Sequence, residues 1–438
     1  MFAYYLELGL RSLRRNPVLT ALMVMAIGFG VAASMTTYAV FRAVSGNPMP
    51  WKSSILFVPQ IDNWGPQSRK TGGDLPESLS YTDAMALMHA HKAHQQTAIY
   101  PVGFTLVPAD PSSQPFAANG YAASADFFSM FDAPFQYGGG WDERDDANRA
   151  SVVVISRAMN QKVFAGANSV GREIQLDGRD YRIAGVLAEW DPRPRFYDVN
   201  NGSGFGDAPD LFLPFSRAVD VQAETLGNNN CYGTTGQAPG WEGWLHSECV
   251  WISLWVELPD AAAVTRYRSY LQAYAAGQQR AGRFHWAATT RLSDLMQWLD
   301  REHVVPRETT VSLVVALGFL LVCLVNTVGL LLAKFMRRAS EIGVRRALGA
   351  SRRQIYAQFL TEAAVVGVAG GLLGLLLTAC GVLGIGLVFE PEIARLARLD
   401  LHLAGITLWV SVAATLLAAC YPTWRAARVQ PAWQLKSN

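Results

Sequence analysis

The stretch VSLVVALGFLLVCLVNTVGLLLA, residues 311–333, decides the architecture: it carries no charge and is interrupted internally only by Asn326 and Thr327. A bilayer's hydrocarbon core, about 30 Å thick, is crossed by about 20 apolar residues in a helix, so this run is long enough to span it. Working outward, residues 18–41, 363–389 and 403–420 have the same character. Pro17 opens the first of them, and proline suits a first helical turn. Arg11, Arg14 and Arg15 precede that run as in a secretory signal. A signal's apolar region has only about 7 to 15 residues, so the longer run reads as an uncleaved anchor. With their flanks, the four transmembrane helices are expected at 18–44, 309–335, 359–389 and 402–422.

Composition agrees. Of 438 residues, 50% are hydrophobic and 16% charged, against about 25% charged in soluble proteins, which excludes a disordered chain and a single soluble enzyme. The net charge of +2 hides an asymmetry. Residues 1–17, 334–362 and 421–438 together carry 13 basic and 3 acidic side chains, whereas residues 42–308 carry 22 basic and 29 acidic. Basic residues near span ends mark the cytoplasmic side. Both termini and the 336–358 segment are therefore expected inside, with residues 45–308 and a short loop at 390–401 outside. The chain thus reads as an α-helical membrane protein with four transmembrane helices and a large mixed α+β extracytoplasmic domain inserted between helices 1 and 2.

Within that domain, β-branched and aromatic runs at 54–58, 151–155, 181–187 and 250–257 read as strands. Residues 81–91, 156–164 and 261–275 read as helices. Residues 200–244, rich in Gly, Asn and Pro, read as a long loop. Cys231 and Cys249 are the cysteines outside the apolar runs, and outside the cytosol a disulfide is the default for such a pair. Cys323, Cys380 and Cys420 sit in apolar runs as small packing residues.

No catalytic constellation is visible. His89, His91 and His94 in MHAHKAH invite a metal, but ligand histidines on a helix stand four apart. Spacings of two and five scatter the rings, and a solvated helix end is the ordinary reading. Asp142, Glu143, Asp145 and Asp146 read as a solvated acidic turn. There is no Gly-Lys pair, hence no Walker A loop to cradle a nucleotide phosphate, and no GxSxG elbow. No metal or cofactor is expected, and nothing suggests nucleic acid.

The basic segments carry more. In RASEIGVRRALGASRRQIYAQ, residues 338–358, Ile342, Leu348 and Ile355 recur among cationic helix formers, and Gly349-Ala350-Ser351 supplies a break and an N-cap. That predicts a short amphipathic helix, a turn, and the lead into the third span. At the N-terminus Phe2, Leu6, Leu10 and Leu13 line one side of a helix expected to lie flat in the lipid interface over 1–17. In the third span Gly367, Gly370, Gly371 and Gly374 include a GxxxG pair, a pattern that lets helices approach closely in lipid. The apolar runs hold no charge, which argues against an ion path through them. Asn326 reads as a buried polar group bonded between helices.

Taken together, these features resemble the MacB/FtsX family of ABC-transporter permeases. The resemblance rests on LGLRSLRRNPVLTAL (8–22), GYAASADFFSMF (120–131), SVVVISRAMNQKVFAGANSVGREIQLDGRDYRIAGVL (151–187), EIGVRRALGASRRQIYAQFLTEA (341–363) and YPTWRAARVQPAWQL (421–435). It implies that Glu341, Ile342, Gly343, Arg345, Arg346, Leu348 and Gly349 form a coupling helix that docks on a separate ABC ATPase subunit, which binds the ATP. It implies a periplasmic core domain over 45–308, with a membrane-proximal part (52–115 and 250–290), an inserted part (116–249) and a stalk (291–308) containing Leu292, Leu295 and Leu299. The expected location is the bacterial inner membrane. The expected function is efflux of periplasmic cargo by mechanotransmission, as a dimer with a second permease copy or a sister permease, through a periplasmic adaptor and an outer-membrane channel. Two related alternatives are a LolC/LolE-type lipoprotein-releasing permease and an FtsX-type activator of a peptidoglycan hydrolase. A membrane-anchored external enzyme is a fourth reading, disfavoured by the missing catalytic set.

Overall fold

The computed structural model describes residues 16–66, 74–108, 114–202, 204–231, 239–384 and 399–427. The expected interfacial helix at 1–17 lies almost wholly outside them, as do residues 385–389 of the third span, most of the 390–401 loop and most of the tail at 423–438.

Chain order begins with α1 (Pro17–Ser45). The inserted domain follows as β1 (Leu56–Ile61), β2 (Leu79–Ser80), α2 (Tyr81–His89), β3 (Gln95–Val107), β4 (Phe116–Ala123), α3 (Phe127–Met130), β5 (Phe135–Gly138), α4 (Glu143–Ala147), β6 (Val152–Ile155) and α5 (Arg157–Phe164). It continues with β7 (Glu173–Leu176), β8 (Arg179–Leu187), β9 (Leu211–Pro214), α6 (Phe215–Asp220), α7 (Gly240–Leu245), β10 (Val250–Glu257), α8 (Ala261–Arg280), β11 (Thr290–Asp294) and α9 (Leu295–Arg301). Then come α10 (Arg307–Met336), α11 (Ala339–Ala347), α12 (Arg352–Gly384) and α13 (Leu401–Ala427). Two units result: Gly46–Val304, and the helices on either side of it.

In the inserted unit one mixed sheet runs in the order β11-β1-β10-β3-β4-β9-β6-β8-β5, with β2 on β10 and β7 bridging β3 and β8. Strand alternation divides the core between its two faces. Tyr100, Val102, Phe104 and Leu106 of β3 join one cluster, while Ile99 joins the other with Phe127, Phe131, Phe212 and Trp255. Every residue of β10 is buried, as expected for a central strand covered on both faces. Ser80, Ser156, Asp260 and Asp294 cap α2, α5, α8 and α9 by accepting backbone N–H bonds, each replacing a bond that a helix start lacks.

Three expectations are corrected here. Residues 200–244 are not simply a loop: Leu211, Phe212, Leu213 and Pro214 form a fully buried strand parallel to β4. The backbones meet so closely that a Cβ on Gly120 would fall 1.8 Å from the Leu211 carbonyl oxygen. The 291–308 segment is no stalk over its first part, because β11 pairs with β1 from Thr290 to Asp294 and Leu295, Trp298 and Leu299 are buried in the domain core. Their apolar spacing serves this domain's own interior. Nor does the structure break between the membrane-proximal and inserted parts, since β3 and β4 pair continuously from Ile99–Ala123 to Leu106–Phe116.

The four long helices are each apolar enough to cross a membrane. α1 packs on α10 and α12, and α13 on α12 and α10. Met23, Ile27, Val31 and Met35 of α1, four residues apart, form the inward stripe, as one helix face requires. Ser34 Oγ donates to the Ala316 carbonyl at 3.0 Å, and Ser411 Oγ to the Gly367 carbonyl at 2.8 Å. Asn326 does not hold helices together: it faces outward, while Thr327, one residue on, takes the inward position and donates to the Cys323 carbonyl.

Candidate coupling site

The site begins where α10 ends. Arg337 and Arg338 turn the chain, α11 runs nine residues, and the backbone closes as the sequence requires. Gly349 N–H bonds the Arg346 carbonyl at 3.2 Å and Ala350 N–H the Arg345 carbonyl at 3.0 Å, the paired bonds of a Schellman motif. Its left-handed residue is Gly349, at φ +97°, where any side chain would be strained. Two residues on, the Ser351 hydroxyl accepts from Gln354 N–H at 3.3 Å while Gln354 Oε1 accepts from Ser351 N–H at 2.9 Å. This reciprocal capping box starts α12.

α11 has two unlike faces. Inward, Ile342 is 4% exposed and lies in the core with Phe335, Ile355 and Phe359, whose rings at 335 and 359 stand 4.2 Å apart. Gly343 is buried beside it. Arg345 reaches Glu341 Oε1 at 2.8 Å and Gln358 Oε1 at 2.9 Å, so its guanidinium is committed within the chain. Outward stand Val344, 54% exposed, and Leu348, 83% exposed, beside exposed Ala347, Arg352 and Arg353. Of the seven residues expected in the site, Leu348 presents an apolar side chain outward, Gly349 shapes the turn, Arg346 is half-buried at the side, and Glu341, Ile342, Gly343 and Arg345 anchor the helix. Val344 belongs to the outer face and was not singled out from sequence.

Sequence reasoning also passed over Lys334 and Glu362, each one residue beyond an apolar run. Lys334 Nζ lies 2.7 Å from Glu362 Oε1, with side-chain exposures of 0% and 3%. Arg338 reaches Glu362 Oε2 at 3.0 Å and Glu341 Oε2 at 3.3 Å. The available signal was a lysine and a glutamate at opposite ends of one basic loop, flanking runs that must pack together. A lone charge there would be costly in the interior. Nothing in this arrangement is a nucleophile aimed at a cavity; an apolar knob ringed by cations suits protein docking.

The glycines of α12 divide between two neighbours. Cβ atoms on Gly370 and Gly374 would meet Ile27 and Val31 of α1 at 2.8 and 3.2 Å; those on Gly367 and Gly371 would meet α13 at Thr415 and Leu408, both at 3.1 Å. Two small-residue pairs, each four apart, thus seat α12 on two helices. In the inserted unit Cys231 and Cys249 are bonded, Cα to Cα 4.1 Å, beside the Asn230–Val250 bridge. His89, His91 and His94 border a cavity of about 400 Å³ with Asp126 and Glu143. Among the described residues no three His, Cys, Asp or Glu side chains converge as metal ligands.

Known families match most of the chain. The profile described as MacB-like periplasmic core domain matches residues 20–274, and the one described as FtsX-like permease C-terminal matches residues 313–431. The chain belongs to the MacB/FtsX family of ABC-transporter permeases. It is 29% identical over 272 residues, 60% of its length, to the pyoverdine export ATP-binding/permease protein PvdT of Pseudomonas aeruginosa. It is 24% identical, over 98% of its length, to the macrolide export ATP-binding/permease protein MacB of Syntrophobacter fumaroxidans. The aligned part is 35% of the first relative and 63% of the second. Among solved structures, the periplasmic region of MacB from Actinobacillus actinomycetemcomitans matches with 15% identity and a TM-score of 0.35, covering 58% of this chain and 91% of that one.

Proposed function

We propose that this chain is a non-catalytic permease subunit of the bacterial inner membrane, with both termini in the cytoplasm, which exports periplasmic cargo when an ABC ATPase subunit drives it. ATP is bound by that ATPase. The observation that carries the reading is α11: its inner face is tied to α12 while Val344 and Leu348 stand out beside Arg352 and Arg353. Burying a leucine side chain is worth about 1.5–3 kcal/mol, which a partner docked over Leu348 would gain. That its relatives include a pyoverdine export and a macrolide export ATP-binding/permease protein favours cargo export. In this reading ATP-driven displacement of α11 rearranges the periplasmic domain, and a dimer of permeases passes the cargo to an adaptor and an outer-membrane channel.

The test is mild crosslinking of tagged protein in native membranes, followed by mass spectrometry, for the native chain and for Leu348→Asp. An ATPase together with an adaptor is expected with the native chain, and Leu348→Asp retains at least about tenfold less ATPase, the loss equivalent to about 1.4 kcal/mol. An ATPase with lipoproteins or a peptidoglycan hydrolase instead would replace export by the corresponding sister function. No ATPase, or equal retention by Leu348→Asp, overturns the docking assignment.

A further inference from the structure

The buried charges under α11 are more than the docking surface needs. Glu362 holds Lys334 of α10 at 2.7 Å and Arg338, at the start of α11, at 3.0 Å. One turn earlier on α12, Gln358 holds Arg345, near the end of α11, at 2.9 Å. Glu341 joins the two arginines at 3.3 and 2.8 Å. Both ends of α11 are therefore tied to one face of α12, and Ile342 packs with Ile355 and Phe359 in the same core. A buried ion pair is a poor way to gain stability, because desolvation offsets the attraction and apolar residues of similar volume often serve as well or better. What such a pair supplies is direction: carboxylate and guanidinium must meet at fixed angles, whereas apolar side chains can slide.

We infer that Glu362 is a positioning residue for coupling: by engaging Lys334 and Arg338 together it makes the end of α10, all of α11 and the start of α12 move as one body, so displacement of α11 passes to α12 instead of being absorbed at the Arg337–Arg338 turn. The inference rests on the docking role of α11 for its purpose, but not for its geometry. It can therefore be measured without the ATPase.

The experiment places spin labels at Leu348→Cys and at native Cys380 of α12, with Cys323 and Cys420 replaced by alanine, in the full chain reconstituted in lipid nanodiscs. Glu362→Gln removes the charge. The Lys334→Met/Glu362→Leu pair removes the ion pair but keeps the volume filled, so it folds even if the single variant does not. The native chain is expected to give one narrow distance distribution, and both variants to widen it about twofold, while the thermal midpoint of the double variant stays near native. Unlabelled, the double variant is expected to retain the ATPase and its hydrolysis but to lose transport. Native width in the double variant overturns the inference, since packing alone would then fix α11; so does a broad distribution in the native chain. If no ATPase joins the native chain, the docking reading fails and the distances still decide the positioning role.

Discussion

Removing Arg283 tests how the periplasmic unit is held together. Its guanidinium reaches Asp83 at 2.6 and 2.9 Å and Glu248 at 2.7 and 2.8 Å, and Asp83 is 1% exposed in its side chain. The group links the start of α2, the chain after α8 and the residue preceding disulfide-bonded Cys249. In Arg283→Met, Asp83 loses its cation but keeps bonds from the hydroxyls of Ser80 at 2.7 Å and Tyr274 at 2.8 Å. Glu248, about a third exposed, can turn to water. Breaking a buried pair costs about 3–5 kcal/mol, and those compensations put this case at the low end, about 3 kcal/mol. For a domain of this size 1 kcal/mol moves the midpoint by about 2–4 °C, so the expected fall is about 6–12 °C. Tryptophan fluorescence of the full chain during heating at one fixed scan rate reads it, with exposed Arg280→Met as control. Adding Asp83→Asn to Arg283→Met is expected to recover a good part of the loss, because the stranded charge is gone. A midpoint for Arg283→Met indistinguishable from that of Arg280→Met would refute the reasoning.

Other expectations follow from particular contacts. Gly370→Ile drives a side chain into Ile27 of α1 and is expected to cost about 1–3 kcal/mol of helix packing, read as a lower midpoint in detergent. Gly318→Ile, with nothing within 4 Å of the added Cβ, leaves the midpoint unchanged. Burial raises the pKa of Asp146, partly opposed by hydrogen bonds from Ser216. A carboxyl that binds its proton more tightly when folded loses stability as pH rises from its unfolded pKa through its folded one. Asp146→Asn is therefore expected to raise the midpoint at pH 7 and to lose that advantage at pH near 4; equal gains at both values would contradict this. Cys231→Ser/Cys249→Ser reopens a loop whose closure is worth about 3 kcal/mol in the chain-entropy model, and labelling of intact cells is expected to find no alkylatable thiol at either position in the native chain.

Much of this architecture was legible in the sequence because membrane spans and amphipathic strands announce themselves by length and period. β10 was found with its observed ends, since Val250 to Glu257 is rich in β-branched and aromatic residues, and Pro259 and Asp260 follow closely. β9 was missed because four residues ending in proline, set among glycines and asparagines, look locally like a loop; only pairing with β4 and β6 makes them a strand. Leu292, Leu295 and Leu299 have a spacing that fits either an outward stalk or an inward helix, and sequence spacing does not say which partner a stripe meets. Asn326 failed for a related reason: its neighbour Thr327 is equally polar, and a 100° rotation decides which of them faces in. At the coupling site the turn chemistry of Gly349 and Ser351 was readable residue by residue. The ion pairs at Glu362 were not, because Lys334 and Arg338 lie far from it in sequence and only the packing of the end of α10 and of α11 against α12 brings them together.

Photocrosslinking from α11 in whole cells tests the central claim most directly. A photoreactive amino acid is placed at Leu348 or Val344 on the outer face, or at Ile342 on the inner one, in otherwise native chains. The account predicts that positions 348 and 344 link to a nucleotide-binding ATPase subunit and that 342 links only within its own chain. Crosslinks to the ATPase from 342 as readily as from 348, or from none of the three, would contradict it.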